Sequence, residues 1–299
     1  IGHMLNGQPI SCIQRPETGR ELTFSHLSPA PEKKKILVIG GGPAGMKATA
    51  VAASRGHSVK LIEATSKLGG QVNLAERLPG RSEFGGITTN LENMLRTQDV
   101  EIKLNTEASL QLIREEAPEV IILATGGKSF EPKIEGKESA HVVTAWQLLE
   151  GKANVGSRVV IADWRCDWVG LGVAELLARQ GCHVRLACNG MVPGQTINQY
   201  VRDNWLGTLH KLNVETLTHL RLRGVDSDDT YFQHTLSEQP VILNDVDTLV
   251  TAFGSEATNT LEKDLRNKVQ SELYVIGDAL SPRSVEEAIL DGLKTSAKI

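Results

Sequence analysis

The chain has 299 residues, which is long enough for two domains, and 40% of them are hydrophobic, as in an ordinary globular protein. Its formal net charge of −4 gives no reason to expect nucleic acid or an anionic membrane surface as a partner. Its four cysteines lack metal-binding spacing, and we find neither a signal peptide nor an apolar run of about 18 residues. We therefore expect a cytoplasmic protein.

The first part of the chain predicts one βαβ unit. Residues 1–32 are polar and contain four of the prolines, and we interpret them as an N-terminal segment. The apolar run Lys35–Ile39 is typical of a strand buried on both faces of a parallel sheet. The glycine-rich turn Gly40–Gly45 leads into a helix over Met46–Ser54, and Ser58–Ile62 forms a second strand.

The same layout returns later in the chain. A shift of about 125 residues places Gly45 on Gly170 and Gly56 on Gly181, and a shift of about 128 residues places Ile121–Gly126 on Leu249–Gly254. Two matches in the same order at nearly the same shift are not expected by chance. The sequence therefore predicts a second α/β unit that is related to the first.

Two further elements complete the predicted architecture. Residues 273–278 form a buried strand that ends in Gly-Asp, and residues 284–294 form an amphipathic helix. We expect an α/β protein with two Rossmann-like dinucleotide-binding domains, the second inserted into the first, as in disulfide-reductase-like flavoproteins. The first domain would comprise 33–137 and 246–299, and the inserted domain 138–245.

The first glycine-rich turn predicts a dinucleotide site. Gly40 permits the tight turn, Gly42 lets a pyrophosphate approach the backbone, and Gly45 lets the helix pack on the strand. Glu63 ends the next strand, where it can accept hydrogen bonds from ribose hydroxyls. A glycine-rich turn without a ligand is the alternative. The other candidate cofactor contacts are Pro43, Ala44, Ala64, Gly70, Gln71, Ala108, Ala124, Thr125, Gly126, Gly277, Asp278, Glu287 and Ala288.

The second turn has lost this pattern. Gly170 remains, but Arg165 and Asp167 stand where turn glycines are needed, and Asp163 ends the strand. Carboxylates at a helix N-terminus compete with a pyrophosphate, and Asp167 also fits a helix cap. Cys188 stands where the first unit has Glu63, and a thiol cannot hold two ribose hydroxyls. We expect that this unit keeps the fold and has lost NAD(P)H.

Two tryptophans follow in the same turn. Trp164 and Trp168 would occupy the space that adenosine needs, and we interpret them as core or interface aromatics rather than electron carriers. The sequence contains no Cys-x-x-Cys pair, and no Ser–His–Asp or metal constellation stands out. We therefore predict no catalytic residue in this chain.

From about residue 9 onwards, the chain resembles the C-terminal half of the trimethylamine dehydrogenase and 2,4-dienoyl-CoA reductase family. In that family, an FMN-bearing barrel of the old-yellow-enzyme type precedes a two-domain nucleotide-binding module. The motifs that carry the resemblance are Gly40–Gly45, Gly69–Ala75, Pro79-Gly80, Glu83-Phe84, Tyr274–Asp278 and Pro282-Arg283.

The resemblance implies further cofactors. Cys12 matches the position of one of four cysteine ligands to an iron–sulfur (4Fe-4S) cluster, and the other three would lie with the FMN barrel in a full-length parent. The amine dehydrogenase branch has a degenerate second fingerprint, like Asp163–Gly170 here. Its first site can hold ADP, but Gly70-Gln71 and Gly277-Asp278 favour FAD in this chain.

We therefore predict the FAD-dependent, electron-transferring module of an amine (N-methyl) dehydrogenase or demethylase. The missing barrel would bind the small-molecule substrate, and a flavoprotein or ferredoxin would accept the electrons. We expect a homo-oligomer. Two alternatives remain open: a structural ADP-binding module without chemistry of its own, and an NAD(P)H-dependent flavin or enoyl reductase.

Overall fold

The computed structural model describes residues 2–5, 7–266 and 268–299. Ile1 and Asn6, in the predicted N-terminal segment, and Asn267, in the predicted first domain, lie outside the described residues. No helix in these three ranges has the length and hydrophobicity needed to cross a membrane. The described helices are α1 (Gly2–Leu5), α2 (Glu21–Phe24), α3 (Pro43–Ser54), α4 (Val72–Ala75), α5 (Gly85–Arg96), α6 (Leu110–Glu116), α7 (Ala145–Glu150), α8 (Trp168–Arg179), α9 (Gln199–Lys211), α10 (Thr260–Arg266) and α11 (Val285–Ser296).

Three short 3-10 turns occupy Ser82–Phe84, Lys137–Ser139 and Gly277–Ala279. The described strands are β1 (Lys35–Ile39), β2 (Ser58–Ile62), β3 (Val100–Lys103), β4 (Val120–Leu123), β5 (Gly127–Ser129), β6 (Val142–Thr144), β7 (Arg158–Asp163), β8 (His183–Cys188), β9 (Glu215–Leu217), β10 (Leu220–Val225), β11 (Thr230–His234), β12 (Pro240–Leu243), β13 (Thr248–Ala252), β14 (Ser255–Ala257) and β15 (Glu272–Val275).

The first unit comprises residues 1–76, 83–128 and 256–299 and contains a parallel sheet in the order β15-β4-β1-β2-β3. The predicted strands β1 and β2 are confirmed, and they pair from Lys35 with Ser58 to Ile39 with Ile62. Helix α3 begins at Pro43, three residues before the predicted start, because proline has the backbone angle that the first helical turn requires.

The β1 strand is apolar throughout because both faces of its sheet are covered. Ile36 and Val38 belong to the hydrophobic cluster that contains Ala48 of α3. Leu37 and Ile39 alternate with them and belong to a second cluster, which contains residues of α6 and α10. Alternate residues of a strand point to opposite faces, so two buried faces require a continuous apolar run.

The second unit comprises residues 77–82 and 129–255. Its parallel sheet has the order β6-β13-β7-β8-β9, and β10, β11 and β12 form an antiparallel sheet that the sequence analysis did not predict. Strand β7 pairs with β8 and β13 as β1 pairs with β2 and β4. The two parallel sheets therefore have the correspondence that the internal repeat predicts.

The observed boundaries differ from the predicted boundaries at 137 and 246. The second unit consists of the short segment 77–82 and a long segment that runs from 129 to 255. The boundary predicted at 246 places strand β13 in the first domain, but β13 lies between β6 and β7 in the second sheet. An apolar run indicates that a strand is buried, but the strands it pairs with decide which sheet it joins. Strands β5 and β14 pair with each other where the chain passes between the units.

Candidate functional site

The turn between β1 and α3 brings three backbone segments into close contact. Gly40 has a φ of +109°, and a Cβ there would lie 2.2 Å from the carbonyl oxygen of Ala124. A Cβ on Gly45 would lie 1.9 Å from the carbonyl oxygen of Gly40. These separations leave no room for a side chain, so both positions require glycine for the helix to pack on the strands.

Gly42 differs from these two glycines because it faces open space. Within the described ranges, no tertiary neighbour lies within 4 Å of the position that a Cβ on Gly42 would take. Gly42 is also the N-cap residue of α3, and no side chain caps the helix there. The helix therefore presents backbone N–H groups and the positive end of its dipole at an open position, as an anion site requires.

Glu63 holds this turn together from the end of β2. Its Oε2 atom accepts a hydrogen bond from the backbone N–H of Gly41 at 2.7 Å. Its Oε1 atom accepts another from the backbone N–H of Thr65, also at 2.7 Å. The half-buried carboxylate thus stabilises the turn, and the adjacent Ala64 is exposed. Its role towards a ribose remains a prediction.

Further predicted contacts lie beside Gly42. A Cβ on Gly70 would lie 3.1 Å from the Cα atom of Gly42. The side-chain amide of Gln71 donates to Asp278 Oδ2 at 2.9 Å, and a Cβ on Gly126 would lie 3.8 Å from that amide nitrogen. The structure therefore brings residues from four separate chain segments to the carboxyl edge of the first sheet.

Asp291 is a member of this group that sequence reasoning missed. Its Oδ2 atom accepts a hydrogen bond from the backbone N–H of Gly277 at 3.2 Å and forms an ion pair with Arg283. The backbone N–H of Arg283 in turn donates to Asp278 Oδ1 at 3.2 Å. Asp291 follows the predicted contact Ala288 by three residues on α11, and this spacing places both on one helix face. That spacing could have revealed it.

Three predicted contacts have other partners. The Glu287 carboxylate accepts the backbone N–H of Ser284 at 3.1 Å and completes a capping box at the start of α11. The hydroxyl of Thr125 donates to the carbonyl oxygen of Thr258. Ala108 packs against the second hydrophobic cluster of the first unit. The cofactor roles of these three residues remain predictions.

Cys12, the predicted iron–sulfur ligand, is a half-buried free cysteine. Across the part of the chain that the structure describes, no group of three or more His, Cys, Asp or Glu side chains could hold a metal ion. A cluster at Cys12 would therefore need thiolates from outside these residues, as the resemblance implies.

Carboxyl groups fill the corresponding turn of the second unit. Asp163 is only 2% exposed, and its Oδ1 atom accepts the backbone N–H of Cys166 at 2.8 Å. A Cβ on Gly170 would lie 2.2 Å from Asp163 Oδ2, so this carboxyl group lies against the start of α8. Asp167 caps α8, as predicted, by accepting the backbone N–H of Val169 at 2.9 Å. Two carboxyl groups therefore lie at the start of α8, whereas the start of α3 at Gly42 is open.

The tryptophans of this turn have separate environments. The Arg81 guanidinium lies 3.4 Å from the ring centroid of Trp168. The ring centroids of Trp168 and Trp205 are 5.7 Å apart. The indole nitrogen of Trp205 donates to Glu175 Oε2 at 2.7 Å. Trp168 is thus part of a packed aromatic group, and such a group requires no electron-carrying role. Trp164 is 40% exposed.

A family model for pyridine nucleotide-disulphide oxidoreductases matches residues 34–292. The chain belongs to this family. The predicted fold class, with two Rossmann-like domains in an α/β architecture, is confirmed by this match and by the two parallel sheets. Membership in this family also supports an oxidoreductase.

Individual relatives confirm the resemblance stated above. The N,N-dimethylglycine/sarcosine dehydrogenase of Chromohalobacter salexigens is 29% identical, and the match covers 98% of this chain and 48% of that protein. A metal reductase of Desulforamulus reducens is 32% identical, with 97% and 47% covered. The structure of 2-naphthoyl-CoA reductase with 2-naphthoyl-CoA has a TM-score of 0.91 and 31% identity, and the match covers 100% of this chain and 45% of that chain. The chain thus spans about half the length of these relatives.

The buried Asp163 gives the second turn a pH dependence. Burial raises the pKa of its carboxyl group well above the ordinary value, and the neighbouring Cys166 and Asp167 raise the pKa further. The folded chain therefore holds this proton more tightly than the unfolded chain does. This proton binding contributes fully to the free energy of unfolding below the ordinary aspartate pKa of about 4. The contribution is lost as the pH rises through the pKa that Asp163 has in the folded chain.

We expect Asp163→Asn to be more stable than the native chain at about pH 8 and equally stable near pH 4. Asparagine keeps an acceptor for the Cys166 N–H but never takes up a buried negative charge. Melting temperatures of both chains across this pH range measure the effect. A variant that is less stable than the native chain at the higher pH would contradict the assignment of a buried neutral carboxyl group.

Proposed function

We propose that this chain is the FAD-binding, electron-transferring module of an oxidoreductase that acts on N-methylated or other amines. The observation that carries the proposal is the open position at Gly42, next to the uncapped N-terminus of α3. A diphosphate needs a close approach to backbone N–H groups and a positive helix end, and the first unit offers both.

FAD fits the first unit better than ADP because candidate contacts extend beyond the phosphate turn. Gln71 and Asp278 hydrogen-bond to each other, and Gly70 lies against Gly42. The side-chain amide of Gln71 and the carboxylate of Asp278 could hold hydroxyl groups of the ribityl chain, which FAD contains and ADP lacks. When bound, the flavin would supply the capacity to accept and release electrons. The protein would supply binding and orientation through these residues, with Glu63 directed to the adenosine ribose.

The second unit supports a scheme in which NAD(P)H is not the electron donor. Asp163 and Asp167 occupy the start of α8, and Cys188 replaces the carboxylate that would hold the ribose. The alternative hypothesis is an NAD(P)H-dependent flavin or enoyl reductase. It is supported by the similarity to two reductases, the metal reductase and 2-naphthoyl-CoA reductase. We favour the amine reading because of the degenerate turn and the similarity to the dimethylglycine/sarcosine dehydrogenase.

In a longer parent protein, Cys12 would be one of four thiolate ligands to an iron–sulfur cluster. Substrate oxidation would then take place at FMN in a barrel domain, as the family resemblance implies. The electrons would leave towards a flavoprotein or ferredoxin. In this scheme the present chain has no catalytic residue, and its residues bind and orient the cofactor.

The proposal is tested by identifying the nucleotide that the purified chain releases on denaturation. We expect FAD, together with the visible absorption of a bound flavin. Release of ADP from a colourless protein would instead support a structural nucleotide site. Chromatography of the released nucleotide against FAD, FMN and ADP standards separates these outcomes.

A second measurement tests the second unit. We expect that anaerobic NADH or NADPH leaves the flavin absorption unchanged, whereas dithionite bleaches it and shows that the flavin can be reduced. Bleaching by either nicotinamide cofactor would overturn the assignment of Asp163 and Asp167 as blocking groups. It would favour the reductase reading.

A further inference from the structure

One carboxylate on α11 holds both ends of the loop 277–283, which connects β15 to α11. The Oδ2 atom of Asp291 accepts the backbone N–H of Gly277 at 3.2 Å. The same oxygen atom forms an ion pair with the guanidinium of Arg283. The Asp291 side chain is half-buried, so water shields this pair only in part. The loop is therefore closed on itself and anchored to the middle of α11.

Asp278 lies inside this loop, and both of its carboxylate oxygens have partners. Asp278 Oδ1 accepts the backbone N–H of Arg283 at 3.2 Å, and Oδ2 accepts the side-chain amide of Gln71 at 2.9 Å. The Nε atom of Arg283 also donates to the carbonyl oxygen of Ser281 at 3.2 Å. Arg283 thus connects the two aspartates, because its backbone binds Asp278 and its side chain binds Asp291.

The loop and α11 both pack directly on the start of α3. A Cβ on Gly277 would lie 2.8 Å from the Cβ atom of Ala44, in the first turn of α3. A Cβ on Gly292 would lie 2.5 Å from the carbonyl oxygen of Ala44. Only glycine permits such close packing. Asp291, which precedes Gly292, therefore holds Asp278 at a fixed place relative to the phosphate-binding end of α3.

We propose that Asp291 is a positioning residue that gives the first unit a preference for FAD over ADP. This role rests on the proposed function, in which Asp278 and Gln71 hold hydroxyl groups of the ribityl chain. FAD contains that chain and ADP does not, whereas both contain the diphosphate that would bind at the Gly42 turn. A residue that acts through Asp278 therefore changes the affinity for FAD and leaves the affinity for ADP unchanged.

Replacing Asp291 with asparagine should weaken FAD binding about tenfold and leave ADP binding unchanged. Asparagine keeps an oxygen atom for the Gly277 N–H, but it has no charge to hold the Arg283 guanidinium. Once Arg283 is released, the Asp278 carboxylate loses a fixed partner, and ordering it on binding costs affinity. Asp291→Ala removes both contacts and should weaken FAD binding further.

Isothermal titration calorimetry measures the effect on the chain after its nucleotide has been removed with a chaotropic salt. FAD and ADP are titrated separately, and the ratio of their dissociation constants reports the preference. Glu286→Gln is the matched control, because it also changes a carboxylate on α11 to an amide, and Glu286 Oε2 lies 3.5 Å from His3 instead of on the loop. This control should keep the native ratio. Circular dichroism verifies that each variant is folded.

Two further variants test the connection through Arg283 and Asp278. Arg283→Met removes the other half of the ion pair from an exposed position, so it should lower the preference for FAD even if the Asp291 variants do not fold. In an Asp278→Ala background, Asp291→Asn should have no further effect on FAD affinity, because the residue that it positions is gone. An additional loss in that background would overturn the proposal.

The titrations separate this role from the proposed function. A native preference for FAD that Asp291→Asn retains would overturn the role of Asp291 alone. Equal weakening of FAD and ADP binding in Asp291→Asn would show a general structural effect and would also overturn it. A native chain that binds ADP as tightly as FAD would overturn both the role of Asp291 and the assignment of FAD to the first unit.

Discussion

Replacing Gly42 with valine should abolish nucleotide retention by the purified chain while leaving the protein folded. None of the residues that the structure describes is a tertiary neighbour within 4 Å of the Cβ position of this valine, so we expect the first unit to accommodate the side chain. The same side chain would occupy the space through which a diphosphate reaches the N–H groups of α3. The measurement is the ratio of released nucleotide to protein, with circular dichroism to verify folding.

Two other glycines serve as controls for this experiment. Gly207 in α9 also has open space around its Cβ position, so Gly207→Val should keep both the fold and the nucleotide. Gly45→Val should lose both, because its Cβ would lie 1.9 Å from the carbonyl oxygen of Gly40. Full nucleotide retention by Gly42→Val would mean that the cofactor does not bind at this turn.

Replacing Glu17 with glutamine should lower the free energy of unfolding by about 3 kcal/mol. Glu17 Oε1 lies 2.8 Å from the Nζ atom of Lys47, whose side chain in α3 is only 4% exposed. Without the carboxylate, the ammonium group would remain buried without its charged partner. Such a charge is costly because water cannot solvate it. Urea denaturation measures the loss.

Two comparisons separate the buried charge from a general effect of the substitution. The double variant Glu17→Gln with Lys47→Met should recover much of the lost stability, because it removes the unpaired charge. Asp264→Asn breaks the exposed ion pair between Asp264 on α10 and Lys268, and it should cost less than about 1 kcal/mol. A loss in Glu17→Gln no larger than that in Asp264→Asn would show that Lys47 does not depend on its partner.

Much of the fold could be predicted from the sequence because the signals are local. The apolar runs at Lys35–Ile39 and Ser58–Ile62 are strands with the predicted bounds, and α11 lies within two residues of its predicted ends. The helix cap at Asp167 was predicted because a carboxylate before an apolar helical stretch is a local pattern. The repeat was visible because the two units share the spacing of their turn and helix.

Other features could not be predicted because they depend on partners distant in the chain. The sequence analysis places β13 in the first domain, because the partners β6 and β7, and not the apolar run itself, decide which sheet the strand joins. The antiparallel strands β10 to β12 were also not predicted. Their short apolar runs do not distinguish a strand from another buried segment.

The sequence by itself determined that glycines form the first turn and that aspartates stand in its copy, since glycine leaves the backbone bare and aspartate does not. Only the tertiary structure decided how the second turn is packed. It buries Asp163 and places Cys188 beside it in the sheet. The physical reason is that parallel strands align their carboxyl ends, so residues more than twenty positions apart become neighbours without any sign in their spacing.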